Sequence, residues 1–270
     1  MGITLAEAPW TTPRPVQAAF FDVDGTLLSF DTRGLPDSAR EALVALRQRG
    51  IHPVVCTGRA PFQLDADLAR LFDACIFLSG SLVLDGRGEV IESHTLDQGE
   101  VAAIAAVADE GCCPVLFMCT DRLFAVGENE HLRISEEQAA LHFDRGDTSM
   151  LEGSPVVQLN VFATPEYDVE VQGLLPHAFT ARWSEHFCDV IPRGSGKGVG
   201  VRAVLAHYGI GPDEAVAFGD GGNDLQMFAA VGTSVAMGQA LPDVQDAATY
   251  VTGTPDEDGI WHACRALGLV

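Results

Sequence analysis

The chain has 270 residues and a formal net charge of −22, with hydrophobic residues making up 47%. That share builds a real core and excludes intrinsic disorder, and the length allows one large domain or two modest ones. The acidic balance argues against a nucleic-acid phosphate binder, which needs a basic face, and against docking on an anionic membrane. It reads as a solvated acidic surface.

The first fifteen residues, "MGITLAEAPWTTPRP", lack a basic region followed by an apolar run, so they read as a flexible leader (1–15) rather than a secretory signal. "VQAAFFDV" (16–23) reads as a buried strand. "LPDSAREALVALRQRG" reads as a helix capped by Asp37 or Ser38, with Ala39, Leu43 and Leu46 on one face and Gly50 as its stop. "HPVVCTGR" (52–59) is a second short strand, followed by a helix near 61–72 and a strand "ACIFLSG". Strands alternating with helices imply βαβ units and a parallel sheet.

After Gly80 the rhythm changes. "SLVLDGRGEVIES" carries a hairpin turn at Asp85-Gly86-Arg87-Gly88. A helix near 97–110 follows, then strands "CPVLFMCT", "RLFAVG", "VVQLNVFA" and "FTARWSEHF", with a helix around 165–175. The βα alternation returns from Cys188, through helices at "KGVGVRAVLAHYG", "GNDLQMFAAVG", "LPDVQDAA" and "DGIWHACRALG" and strands at "AVAFGD", "TSVAMG" and "TYVTG". The fold class expected is α/β: a Rossmann-like parallel-sheet core, 16–81 and 187–270, with an α+β block inserted at 82–186.

The longest helical apolar run, "VAAIAAVA" (101–108), falls far short of the roughly 20 residues that span a bilayer. Seven cysteines, Cys112 and Cys113 adjacent and the other five scattered, show no zinc spacing and fit reduced thiols in the cytoplasm. His142 and His207 read as surface or packing residues, and Trp10, Trp183 and Trp261 as packing. "GSGKG" (194–198) is no nucleotide P-loop, because Ile191 and Gly198 stand where that motif needs glycine and a hydroxyl.

In open α/β sheets the working groups sit at the carboxyl ends of strands. Four polar clusters fall there: Asp22/Asp24, Thr57-Gly58-Arg59, Lys197 and "GDGGND" (219–224). Asp22, Asp24, Asp220 and Asp224 brought together suit a hard cation with oxygen ligands, Mg²⁺ above all. Lys197, the Thr57 hydroxyl and free backbone N–H groups suit a phosphate. A carboxylate beside both can form an aspartyl phosphate.

"DVDGT", "TGR", a Gly-flanked lysine and "GDGGND", in that order and spacing, resemble the haloacid dehalogenase-like hydrolase superfamily. "FGDGGNDLQMFAAVGTSVAMGQA" (218–240) resembles its Cof-type branch, the sugar-phosphate phosphatases with a cap inserted between the second and third motifs. Two positions depart from the branch: Ser79 stands where Asn is usual, and Gly196 where Ser usually precedes the lysine.

The resemblance implies Asp22 as nucleophile and Mg²⁺ ligand. It implies Asp24 as metal ligand through its backbone carbonyl and as general acid–base through its side chain. Val23, Gly25, Thr57, Gly58 and Lys197 would face the phosphate. Asp220 would be the second carboxylate on the metal, with Asn223 and Asp224 orienting the ion and its waters, and Asn223 also near the phosphate. Arg59 could touch substrate or pair with an acid.

The expected activity is Mg²⁺-dependent hydrolysis of small phosphorylated metabolites by a monomer or weak homo-oligomer. A phosphomutase, or a catalytically silent phosphosugar-binding regulator, are the alternatives on this scaffold. The insert is expected to act as a mobile, substrate-selecting cap, with Arg87, Arg122, Arg133, Arg145 and Arg182 as candidate contacts.

Overall fold

The computed structural model describes residues 3–4, 10–120, 122–139, 141–182 and 184–270. It divides into two compact units, Met1–Glu92 with Gly196–Val270, and Ser93–Ser195.

Strands of the first unit are β1 (Ile3–Thr4), β2 (Ala18–Phe21), β3 (His52–Cys56), β4 (Ala74–Phe77), β5 (Leu82–Asp85) and β6 (Val90–Ser93), the last ending at the junction. The second unit holds β7 (Val115–Cys119), β8 (Leu123–Val126), β9 (Val156–Val161), β10 (Ala178–Arg182) and β11 (Cys188–Pro192). The first unit closes with β12 (Ala215–Gly219), β13 (Thr233–Ala236) and β14 (Tyr250–Val251). The helices are α1 (Asp37–Gln48), α2 (Ala66–Ala69), α3 (Gln98–Asp109), α4 (Glu130–Ala139), α5 (Asp168–Gly173), α6 (Lys197–Tyr208), α7 (Leu225–Phe228), α8 (Pro242–Ala247) and α9 (Gly259–Ala266).

The large sheet runs β1-β14-β13-β12-β2-β3-β4-β5-β6. It is parallel from β1 to β4, and β5 turns back antiparallel on β4. β2 and β12 are adjacent, with Phe21 opposite Phe218 and their rings stacked at 4.8 Å. Every residue of β2, β4 and β12 is buried, which explains their unbroken apolar runs. The chain leaves β2 toward β3 and later returns to its other side as β12. That reversal opens a crevice at the strands' carboxyl ends.

The second unit is an antiparallel sheet, β10-β11-β9-β7-β8. Phe117, Leu159 and Val190 from its strands share one core with Ile104 and Ala108 of α3 and Val171 of α5.

Several expectations are corrected. The 85–88 hairpin is β5–β6 and extends the large sheet, so the insert runs over Ser93–Ser195 rather than 82–186. Cys188–Pro192 pairs with β10 and β9 inside the insert instead of reopening the core. At its described residues the leader is tied down: Ile3–Thr4 pairs with β14, and buried Trp10 stacks on Tyr250 at 4.4 Å. The helix expected over 61–72 is a 3₁₀ turn, Pro61–Gln63, and the single turn α2. Asp37 begins α1 rather than capping it, and Ser38 bonds Asp258. Trp183 lies outside the described residues, whereas Trp261 is half-buried on α9.

Candidate active site

The site grows from the end of β2. Burying Phe20 and Phe21 fixes the strand, and the Asp22 N–H donates to the Phe218 carbonyl at 3.0 Å, holding the carboxylate beside β12. The Val23 carbonyl then accepts from Thr26, Leu27 and Leu28, closing a tight turn. Gly25 sits at φ +82°, and a Cβ there would lie 2.2 Å from Asp220 Oδ2 and 2.5 Å from the Phe30 ring. Only glycine fits.

Lys197 opens α6 and is 1% exposed. Its Nζ donates to Asp22 Oδ1 and to Asp224 Oδ1, each at 2.6 Å. The other Asp224 oxygen accepts the N–H groups of Asp220 and Gly221 at 3.0 and 2.9 Å. Asp224 is therefore spent on holding the lysine and the loop after β12. Thr26 donates to Asp220 Oδ1 at 3.1 Å.

Burial pushes the Asp22 carboxyl well up, with Lys197 pulling the other way and Asp224 and Asp220 adding to the rise. Burial and the Asp224 charge likewise lift Asp220 to about 6. Burial disfavours the Lys197 charge, but Asp22 and Asp224 outweigh it and keep the ammonium protonated far into the alkaline range. One lysine thus faces three clustered carboxylates, and the balance calls for another cation.

Asp22, Asp220 and Asp224 each offer an oxygen within 4.8 Å of the others. Among the described residues, one Asp22 oxygen meets no hydrogen-bond donor, whereas both Asp224 oxygens are taken. The donor set is all oxygen, which fits a hard divalent ion.

Thr57 ends β3. Its N–H donates to the Ile76 carbonyl at 2.8 Å, and its Oγ1 accepts the Arg59 N–H at 3.1 Å, so the hydroxyl proton remains free to donate. The amides of Val23, Asp24 and Gly58 hold no hydrogen bond among the described residues. The Gly25 N–H, expected toward a phosphate, instead donates to the Leu28 carbonyl at 2.8 Å, so this residue gives shape and not a donor.

The Asp24 side chain stands apart from the carboxylate cluster. Arg59 holds both its oxygens, through Nε at 2.9 Å and Nη2 at 2.5 Å. Asn223 is half-buried beside Gly221. Leu78 and Ser79 both adopt left-handed backbone, φ +51° and +52°, and donate their N–H groups to the Arg59 and Thr57 carbonyls at 3.0 Å. Thr26, Gln239 (which donates to the Gly25 carbonyl) and this turn were not evident from sequence; "GQA" at 238–240 carried the one available hint.

Of the arginines expected in the insert, Arg87 lies in the core hairpin, Arg145 pairs with Glu136 and Glu128, and Arg182 pairs with Asp168. His142 is exposed beside Glu136, and His207 is exposed against Tyr208.

A family model described as haloacid dehalogenase-like hydrolase matches residues 19–264. The chain belongs to that family. It is similar to the Bacillus subtilis (strain 168) protein named "Putative phosphatase YkrA", 35% identical over 254 residues that cover 93% of this chain and 97% of that one. The solved structure of BT4131, a sugar phosphatase of HAD subclass IIB, is 34% identical with a TM-score of 0.81, over 94% of this chain and 100% of that one. BT1666, a HAD phosphatase from Bacteroides thetaiotaomicron, is 29% identical with a TM-score of 0.84, over 95% and 96%. This haloacid dehalogenase-like hydrolase is a Cof-type phosphatase by its family and relatives. No helix among its described residues is long and apolar enough to cross a membrane.

Proposed function

We propose that the protein is a Mg²⁺-dependent phosphatase of small phosphorylated metabolites, sugar phosphates first, acting through an aspartyl phosphate on Asp22. The observation that carries this reading is the buried Lys197, bonded at 2.6 Å to both Asp22 and Asp224, with Asp220 alongside at the crevice between β2 and β12. It holds one carboxylate in place as a nucleophile and supplies positive charge to an incoming phosphate.

Mg²⁺ would be held by Asp22 and Asp220, with the Asp24 backbone carbonyl, and with Asn223 and Asp224 orienting its surroundings. Bound there, it would supply charge that keeps both carboxylates ionised and neutralises the phosphate. The amides of Val23, Asp24 and Gly58, the Thr57 hydroxyl and Lys197 hold the phosphate oxygens. Asp22 attacks phosphorus in line with the leaving oxygen. Asp24 gives that oxygen a proton, then takes one from the water that opens the acyl phosphate. The sugar-phosphate assignment leans on BT4131, which is a sugar phosphatase. Seven free cysteines, six of them buried, support a reducing, cytoplasmic setting.

The test is phosphate release from a panel of phosphorylated metabolites, with enzyme stripped by chelator and with Mg²⁺ restored. Turnover only in the restored enzyme, greatest on sugar phosphates, is expected. Full activity after chelation would remove the metal from the reading. Transfer of the phosphoryl group to a second sugar position, without release, would point to a mutase.

A further inference from the structure

The half-exposed ion pair between Arg59 and Asp24 has no evident purpose in the fold. The two side chains are 31% and 49% exposed, and pairs this wet contribute at most about 1 kcal/mol to stability. Its geometry is nonetheless specific. Arg59 Nε and Nη2 each donate to a different Asp24 oxygen, while Nη1 donates to the Gln63 carbonyl at 3.2 Å. The Arg59 backbone is fixed as well, its N–H to Thr57 Oγ1 and its carbonyl to the Leu78 N–H. The side chain thus springs from the same rigid loop that carries Thr57 and Gly58.

Guanidinium only donates hydrogen bonds. While Arg59 occupies both Asp24 oxygens, that carboxylate is engaged as an acceptor. To carry a proton to a leaving oxygen, it must first give up at least one of these contacts. Arg59 must then find another anion, and a phosphate suits the same fork of donors.

We propose that Arg59 is a positioning residue that holds Asp24 in a non-donating arrangement and transfers its guanidinium to the substrate's phosphate, so that bound phosphomonoester itself frees the acid–base. This rests on the phosphatase reading above. The loop bearing Arg59 also bears Thr57 and Gly58, so the guanidinium starts beside the groups proposed to hold the phosphate. The weakness of the exposed pair helps: little has to be overcome to break it.

The test is a double-mutant cycle on binding of inorganic phosphate, by titration calorimetry, in the Mg²⁺-loaded full-length protein. Asp24→Asn removes the competitor for Arg59, so it is expected to tighten phosphate binding about tenfold when Arg59 is present. In the Arg59→Gln background the same change should tighten binding less than threefold, because only the loss of general repulsion remains. Equal tightening in both backgrounds overturns the proposal. Thermal melts of the three variants establish that each is folded, and Arg59→Lys, which keeps charge but not the fork, should fall between.

Turnover separates this inference from the reading it rests on. An enzyme that hydrolyses phosphomonoesters but shows no such coupling loses only the handover. A protein that neither turns over the metabolite panel nor binds phosphate loses both. A further readout is the ratio of alkyl to aryl phosphate hydrolysis. Alkyl leaving groups need Asp24, so Arg59→Gln should shift that ratio more than threefold if Arg59 governs Asp24, and a purely structural role would leave it unchanged.

Discussion

Asp22 and Asp24 stand two residues apart, yet their side chains meet different partners. Asp22 faces a buried ammonium, and the more exposed Asp24 faces a half-buried guanidinium. Asp22→Asn should lower turnover by at least about a thousand-fold, because an amide is a poor nucleophile and no other group takes its place. The fold should survive, since Lys197 keeps Asp224. A variant retaining a tenth of wild-type kcat would refute Asp22 as nucleophile. Asp24→Asn should cost about a hundred- to ten-thousand-fold on alkyl phosphates and much less on aryl phosphates, whose leaving groups need little proton help. Gly25→Ala is expected to destabilise by about 1–3 kcal/mol, because a methyl at φ +82° lands 2.2 Å from Asp220 Oδ2. Chemical denaturation would register that loss, and the variant's half-saturating Mg²⁺ should rise with it. Wild-type stability and wild-type Mg²⁺ response would show that the turn can relax.

Among the elements, the turn after β4 stores backbone strain at Leu78 and Ser79. Asn adopts left-handed backbone more readily than Ser, so Ser79→Asn should raise stability by about 0.5–1 kcal/mol, visible as a higher Tm. A lower Tm would mean that the Ser79 hydroxyl packs against Gly58 in a way Asn disturbs. In the insert, the Arg145 guanidinium beside Glu136 draws that carboxyl from 4.5 down to about 2. The folded-state value lies below the unfolded one, so the pair's contribution is complete above about pH 4.5 and is lost as pH falls toward 2. Glu136→Gln should therefore cost about 1–3 kcal/mol at pH 7, a gap that narrows through pH 4 to 3 in denaturant titrations. A constant gap across that range would assign the loss to packing. The central strands of the large sheet were legible because both faces are buried, giving runs such as "AAFF" and "AVAFG". Helix α4 was not. Of its described side chains, residues 130–138, only Leu132, Ser135 and Glu136 are buried, so no apolar stripe announces it. The four motifs were legible for the opposite reason: charges and glycines at strand ends break the apolar pattern. What the sequence could not reveal was which partner each charge takes, and Arg59 with Asp24 is the clearest case.

At the scale of the whole molecule, the carboxylates, Lys197, Thr57 and Arg59 all belong to the first unit, and none to Ser93–Ser195. The insert is accordingly proposed to choose substrates rather than perform chemistry. Replacing 93–195 with a short Gly/Ser linker should preserve hydrolysis of an aryl phosphate while flattening the ranking of metabolites. A shortened enzyme that ranks metabolites as the full chain does would end the selector role. The β5–β6 hairpin should stay, since it completes the sheet edge next to β4. Within this unit, in the turn after β4 and just before α6, Gly80 and Gly196 pass backbone against backbone: a Cβ on Gly80 would lie 2.1 Å from the Gly196 carbonyl oxygen. For anyone exchanging inserts between relatives, that crossing sets the splice. Donor sequence can begin after Glu92 and end at Ser195, but a graft cut at Gly80 would put foreign side chains where two main chains already touch, and the recipient would lose the lysine's anchorage along with its specificity.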